Sequence, residues 1–119
     1  MNVVMEERGR VRDLLATSGV PFTEEDLPGG EAAPGSAAAW RFRSEGVAEV
    51  DVHVCLDHEA TRDALQALQE RAGPPSDMGL PAVGQNGRLV FVVSHLGGDD
   101  DESTFRTLGV VSAMSGEEE

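Results

Sequence analysis

Lysine, isoleucine and tyrosine are absent from this chain, so its nine basic residues are all arginines. The lack of lysine excludes a Schiff-base nucleophile and the lysine of a phosphate-binding P-loop. With 22 acidic residues the formal net charge is −13. Nucleic acid and anionic membranes would repel such a chain, so we expect neither as a partner. The residue bias fits a high-GC bacterium, and the acidity fits either salt adaptation or a basic partner protein.

Cysteine is also scarce, because Cys55 stands alone and leaves no intrachain disulfide. Nothing therefore indicates an oxidising compartment. No apolar run approaches the length of a membrane span or a signal-peptide core, and we expect a cytoplasmic protein. The motifs GxGxxG, GxSxG and HExxH are missing as well. We expect neither an enzyme nor a bound cofactor.

Three segments carry the apolar spacing of amphipathic helices. The first runs from about Val3 to Ser18, and its inner residues are Val4, Val11, Leu14 and Leu15. The second is His58–Ala72, which follows Asp57 as a good N-cap. Its predicted inner residues are Thr61, Ala64, Leu65, Leu68 and Ala72. The third follows the acidic residues 99–102, and its predicted core stripe is Phe105, Leu108, Val111 and Met114.

Alternating residues predict an antiparallel strand pair at Trp40–Arg43 and Glu49–Leu56. The predicted buried face consists of Trp40, Phe42, Val50, Val52, Val54 and Leu56. We expect the other face to be wet, with cross-strand pairs of Arg41 with Asp51 and Arg43 with Glu49.

A second strand pair is predicted around Asn86-Gly87, which favours a type I′ hairpin turn. This turn would join strands near Leu80–Gly84 and Arg88–Leu96. The second of these strands is apolar on both faces, which is typical of a central, covered strand.

The resulting order of elements is α-β-β-α-β-β-α. It predicts an α+β fold in which helices pack on an antiparallel sheet of about four strands. Residues 1–119 would form a single domain. Within it, the Gly-, Pro- and Ala-rich residues 22–38 predict a mobile loop, and residues 115–119 predict an acidic tail.

His53, Cys55 and His58 form the cluster that comes nearest to a chemical site. On a strand, His53 and Cys55 would share a face, His58 would follow at a helix start, and His95 would approach from another strand. Zinc favours such ligands, although the spacing matches no established zinc pattern. Neighbours on one strand face lie about 7 Å apart, too far for a thiolate–imidazole pair. The alternative is a wet-face histidine and a half-buried cysteine.

Several segments resemble the type III secretion chaperone-like fold, including its YbjN-type relatives. These segments are LLATSGVPF, WRFRSEGVAEVDVHV, LQALQ and NGRLVFVVSHLGGDDDESTFRTLGVVSAM. The resemblance implies a twisted antiparallel sheet between helices and a role in binding a client protein. The family has a third strand between the first pair and the middle helix, whereas here Asp57 leads straight into the helix.

The preferred function is a non-catalytic protein-binding module, chaperone-like or regulatory, that holds a partner segment as a monomer or a homodimer. Trp40 and Phe42 are the candidate anchors, because aromatic residues dominate binding hot spots. A purely structural role in the core is the alternative for both. Two other hypotheses stay open. One is an acidic immunity or inhibitor protein for a basic toxin or enzyme, and the other is a small metal-binding module.

Overall fold

A computed structural model describes residues 3–27, 32–33, 35–74, 80–97 and 101–115. In this part of the chain there are three helices and five strands. In chain order they are α1 Val3–Thr17, β1 Thr23–Asp26, β2 Ala38–Ser44, β3 Ala48–Val54, α2 His58–Ala72, β4 Ala82–Asn86, β5 Leu89–His95 and α3 Asp101–Ser115. The predicted α+β fold is confirmed, with five strands in place of four.

All five strands belong to one antiparallel sheet in the spatial order β1-β2-β3-β5-β4. The predicted register of the first pair is confirmed, because Arg41 lies opposite Asp51 and Arg43 opposite Glu49. The bounds of α2 are those predicted, and Asp57 Oδ1 accepts a hydrogen bond of 2.7 Å from Ala60 N–H as the N-cap.

The additional strand β1 lies inside the interval 22–38 that the sequence predicted as a loop. It pairs with β2 along its whole length, from Thr23 opposite Arg43 to Asp26 opposite Trp40. Its sequence, Thr-Glu-Glu-Asp, lacks the alternating apolar residues and the β-branched composition that indicate a strand. Residues 28–31 and 34 of the predicted loop, and 116–119 of the predicted tail, lie outside the described residues.

Helices α1 and α3 pack on one face of the sheet and form the main core with it. The buried members of this core include Val11, Leu15, Trp40, Phe42, Val50, Val52, Val54, Leu89, Phe91, Val93, Val110 and Met114. The other face was predicted to be wet, and this is only half right. There α2 covers β4 and β5, and a second buried cluster consists of Ala33, Cys55, Ala64, Leu68 and Val90.

Two residues that were predicted to be inside are exposed. Leu56 is 52% exposed, because β3 ends at Val54 and the chain turns away before α2. Phe105 is 72% exposed, and the buried residues of α3 are Thr107, Val110 and Met114. Thr107 can be buried because its Oγ1 donates a hydrogen bond of 2.9 Å to the Val47 carbonyl oxygen inside the core. The helix therefore turns Thr107 inward and Phe105 outward.

The hairpin turn also differs from the prediction. Asn86 pairs with Leu89, so the two central residues are Gly87 and Arg88. Only Gly87 has a positive φ, +61°, which is the pattern of a type II′ turn and not of type I′. The side chain of Asn86 instead connects β4 to α1 and α3 by hydrogen bonds. Its Nδ2 donates to the Met114 carbonyl at 2.8 Å, and its Oδ1 accepts from Arg10.

Replacing Gly84 by alanine should destabilise the protein. A Cβ at Gly84 would lie 2.6 Å from Cζ of Phe91, which is buried in the core, so the aromatic ring would have to move. We expect a loss of about 2 kcal/mol in the free energy of unfolding, measured by urea denaturation. Gly109→Ala is the control, because nothing lies near its Cβ and alanine favours a helix. An equal effect of both substitutions would contradict the predicted contact.

Candidate functional site

The two predicted anchors lie in the core beneath α1. Trp40 is 6% exposed and Phe42 is 2% exposed. The guanidinium of Arg8 covers the Trp40 ring at 5.6 Å from its centroid, which closes this aromatic face. Trp40 is therefore a core residue. Phe42 is also buried, but it borders an open groove as well.

Phe42 forms the floor of an open groove of about 360 Å³, which we call the α1–β1 groove. It lies between the C-terminal half of α1, residues 20–22 and strands β1 and β2. The lining residues are Arg12, Leu15, Ala16, Val20, Pro21, Phe22, Glu24 and Phe42. A mostly apolar concave surface of this size falls within the range of ligand pockets in proteins.

The end of α1 creates the groove. Gly19 adopts a φ of +75° and donates a 3.2 Å hydrogen bond to the Ala16 carbonyl, which ends the helix. Pro21 prevents the helix from continuing, and the flanking Val20 and Phe22 pack against the core. The chain then enters β1 beside the helix, and the space between the two elements is the groove.

Glu24 holds α1 and β1 together at the edge of the groove. Its carboxylate accepts hydrogen bonds from Arg12 Nε at 2.8 Å and from Arg8 Nε at 2.6 Å. The hydrogen bond from Arg12, followed by that from Arg8, holds the pKa of Glu24 below its usual range. The next strand residues, Glu25 and Asp26, are exposed. Asp26 lies opposite Trp40 on the same sheet face as Glu24, whereas Glu25 lies opposite Arg41 on the other face.

The predicted histidine and cysteine cluster is not assembled. His53 is 1% exposed and accepts a 3.1 Å hydrogen bond from Ala33 N–H, while His58 is exposed at the start of α2. His95 lies towards the opposite end of β3, opposite Ala48, and its Nδ1 is 2.8 Å from Thr107 Oγ1. Within the described ranges, no three His, Cys, Asp or Glu residues lie close enough to hold a metal ion.

Burial governs the chemistry of the two central members of that cluster. It lowers the pKa of His53 from 6.5 to about 4, so the ring is neutral near pH 7. It raises the pKa of the Cys55 thiol, so the reactive thiolate is disfavoured. Alternation along β3 correctly predicted that these residues share a face, but not that Ala33 and α2 would cover it.

Sequence reasoning missed most of the groove. Leu15 was correctly predicted to face inward, but Ala16 was not among the predicted inner residues, and Val20 and Pro21 lay outside every predicted element. The groove also needs β1 as its second wall, and β1 has no apolar pattern. The available signal was the pair of apolar residues, Val20 and Phe22, directly after a helix stop.

No protein-family model, curated protein or solved structure matches this chain. None of the helices in the described part combines the length and the apolar character that a membrane crossing needs.

Removing the charge of Glu24 should loosen the wall of the groove. We expect Glu24→Gln to lower the free energy of unfolding at pH 7 by about 1 kcal/mol, and the exposed Glu25→Gln control by less than about 0.5 kcal/mol. Because the folded pKa of Glu24 lies below its ordinary value of 4.5, its contribution is complete above that pH and is lost as the pH falls further. Urea denaturation of both variants across this range measures it. If the free energies of unfolding of wild type and Glu24→Gln still differ in strong acid, the ion-pair explanation is refuted.

Proposed function

We propose that this chain is a non-catalytic protein-binding module, chaperone-like or regulatory, which holds a segment of a partner protein in the α1–β1 groove. The observation that carries the proposal is the groove itself, with Phe42 at its floor. Trp40, the other sequence-predicted anchor, has a structural role in this proposal, because Arg8 covers it.

The occupant that fits best is a protein segment with an apolar side chain next to arginine or lysine. The floor and helix side of the groove are apolar, with Leu15, Ala16 and Phe42. Burying one leucine-sized side chain there contributes about 2 kcal/mol. The strand side presents one exposed acid on this face, Asp26, in a chain whose net charge is −13. A basic flank would therefore complement this edge and speed association.

Two further observations support binding over catalysis. His53 and Cys55, the residues with the most suggestive chemistry, are buried, and His53 uses its Nδ1 to accept a backbone hydrogen bond. In addition, three strands precede α2, which is the number that the resemblance to the secretion chaperone-like fold implies, although the third precedes the pair here. We place this activity in the cytoplasm, where a lone thiol such as Cys55 stays reduced.

An acidic inhibitor or immunity protein is the second candidate. The net charge of −13 favours it, because such a charge would steer the chain onto a basic toxin or enzyme. An inhibitor or immunity function does not require an apolar groove. Its affinity for the partner should fall steadily as the salt concentration rises, since the binding rests on charge alone.

The test uses a phage-displayed library of random peptides as the probe, because the partner is not identified. Ala16→Arg places a long side chain in the groove from an exposed position of α1. Thr17→Arg adds the same charge at the next exposed position, outside the groove, and is the matched control. We expect selected peptides to carry an apolar residue beside arginine or lysine. Fluorescence anisotropy should show that they bind Ala16→Arg at least about tenfold more weakly than wild type, and Thr17→Arg within about twofold.

Each alternative outcome is distinguishable. Peptides that are basic but carry no apolar residue, and that dissociate completely at about 0.5 M salt, would favour the inhibitor function. Failure to enrich any peptide, or equal binding to Ala16→Arg and wild type, would overturn the groove as the binding site. Circular dichroism of both variants confirms that they are folded.

A further inference from the structure

A short stretch before β2 lies across the sheet face that α2 covers. We call its described residues, 32–33 and 35–37, the strap. Ala33 is 4% exposed and belongs to the cluster with Cys55, Ala64, Leu68 and Val90. Ala37 N–H donates to the Val54 carbonyl at 2.7 Å, and Ser36 N–H donates to the Ala33 carbonyl at 3.2 Å. Ala33 of the strap and Ala64 and Leu68 of α2 therefore belong to the same cluster that buries Cys55.

One side chain fastens the strap to the sheet at Ala33. His53 Nδ1 accepts the Ala33 N–H at 3.1 Å, and this hydrogen bond is buried. A neutral imidazole has one acceptor nitrogen, so the proton of this ring must reside on Nε2. An imidazolium has no acceptor, because both of its nitrogens carry hydrogen. A proton on Nδ1 would point directly at the Ala33 N–H, and the two donors would repel each other.

We infer that His53 is a proton-operated latch. Uptake of a proton at Nδ1 breaks the hydrogen bond from Ala33, releases the strap from the sheet and uncovers Cys55 with the apolar cluster around it. This device is independent of the α1–β1 groove, which lies on the opposite face of the sheet.

The charges around His53 set the direction of the pH dependence. Asp51 lies on the same strand face and favours the protonated ring, whereas Arg71 of α2 opposes it. The cross-strand neighbours, Ala39 and Val90, carry no charge. Burial outweighs the attraction of Asp51, and the pKa of His53 falls to about 4. The open form, with an ordinary pKa near 6.5, therefore binds the proton more tightly. The latch is closed above that pH and opens progressively as the pH falls towards 4.

The thiol of Cys55 reports on the latch, because it is the only cysteine of the chain and is fully buried. Its rate of reaction with 4,4′-dithiodipyridine, which reacts in mild acid, is divided by the rate in the urea-unfolded chain at the same pH. This ratio removes the intrinsic pH dependence of the thiol and gives a protection factor. We expect protection to fall roughly 40-fold between about pH 6.5 and 4.5, while far-ultraviolet circular dichroism stays constant.

A non-titrating variant provides the decisive comparison. His53→Asn retains an acceptor oxygen near the position of Nδ1 but takes up no proton, so its Cys55 protection should not change over this range. The exposed His58→Asn is the control and should behave as wild type. Nitrogen-15 chemical shifts of the His53 ring in the wild-type chain give an independent measurement if His53→Asn does not fold. The ring should become protonated as the pH approaches 4, at the end of the range over which protection is lost.

The inference is overturned by any of three results. These are constant protection in the wild-type chain down to the pH of global unfolding, an equal loss of protection in wild type and His53→Asn, and ring protonation that occurs without loss of protection.

Discussion

Strand β3 imposes the constraint on which the rest of the structure depends. It is central in the sheet, between β2 and β5, and its buried side chains lie on both faces. Val50 and Val52 require the cover that α1 and α3 provide, and His53 and the following Cys55 require the cover of α2 and Ala33. A sheet with helices on both faces meets both needs. The remainder of the α2 face includes the half-buried Arg41 and Asp51, which pair across the strands, with Arg41 Nε donating to Asp51 Oδ1 at 2.8 Å.

This layering separates two regions with different chemistry. On the α1 face, the helix ends at Thr17, and the turn at Gly19 leads into an apolar groove that is open to solvent. On the α2 face, the chain before β2 closes over a buried histidine and thiol. The first region is suited to taking up a side chain from another protein. The second is suited to responding to protons, because its hydrogen bond exists only for the neutral ring.

Much of this arrangement could be predicted because it is local. Asp57 and the apolar spacing after it defined α2, and the charge pattern of β2 and β3 gave their register. The errors concern contacts between distant parts of the chain. Phe105 was placed inside because the acceptor of Thr107, the Val47 carbonyl, is 60 residues away. Strand β1 was missed because it is held by the pairing of Glu24 with two arginines of α1 and by the backbone of β2, and not by an alternating apolar pattern. The groove was missed for the same reason, since β1 is its wall.

The central claim is that the α1–β1 groove binds a segment of another protein. Chemical-shift mapping of the nitrogen-15-labelled chain with a library-selected peptide tests it most directly. We expect the largest amide shifts to cluster at Leu15–Phe22, at Glu24 and at Phe42. Shifts concentrated on the charged half of the opposite face, around Arg41 and Asp51, would contradict it and place binding on the open sheet surface.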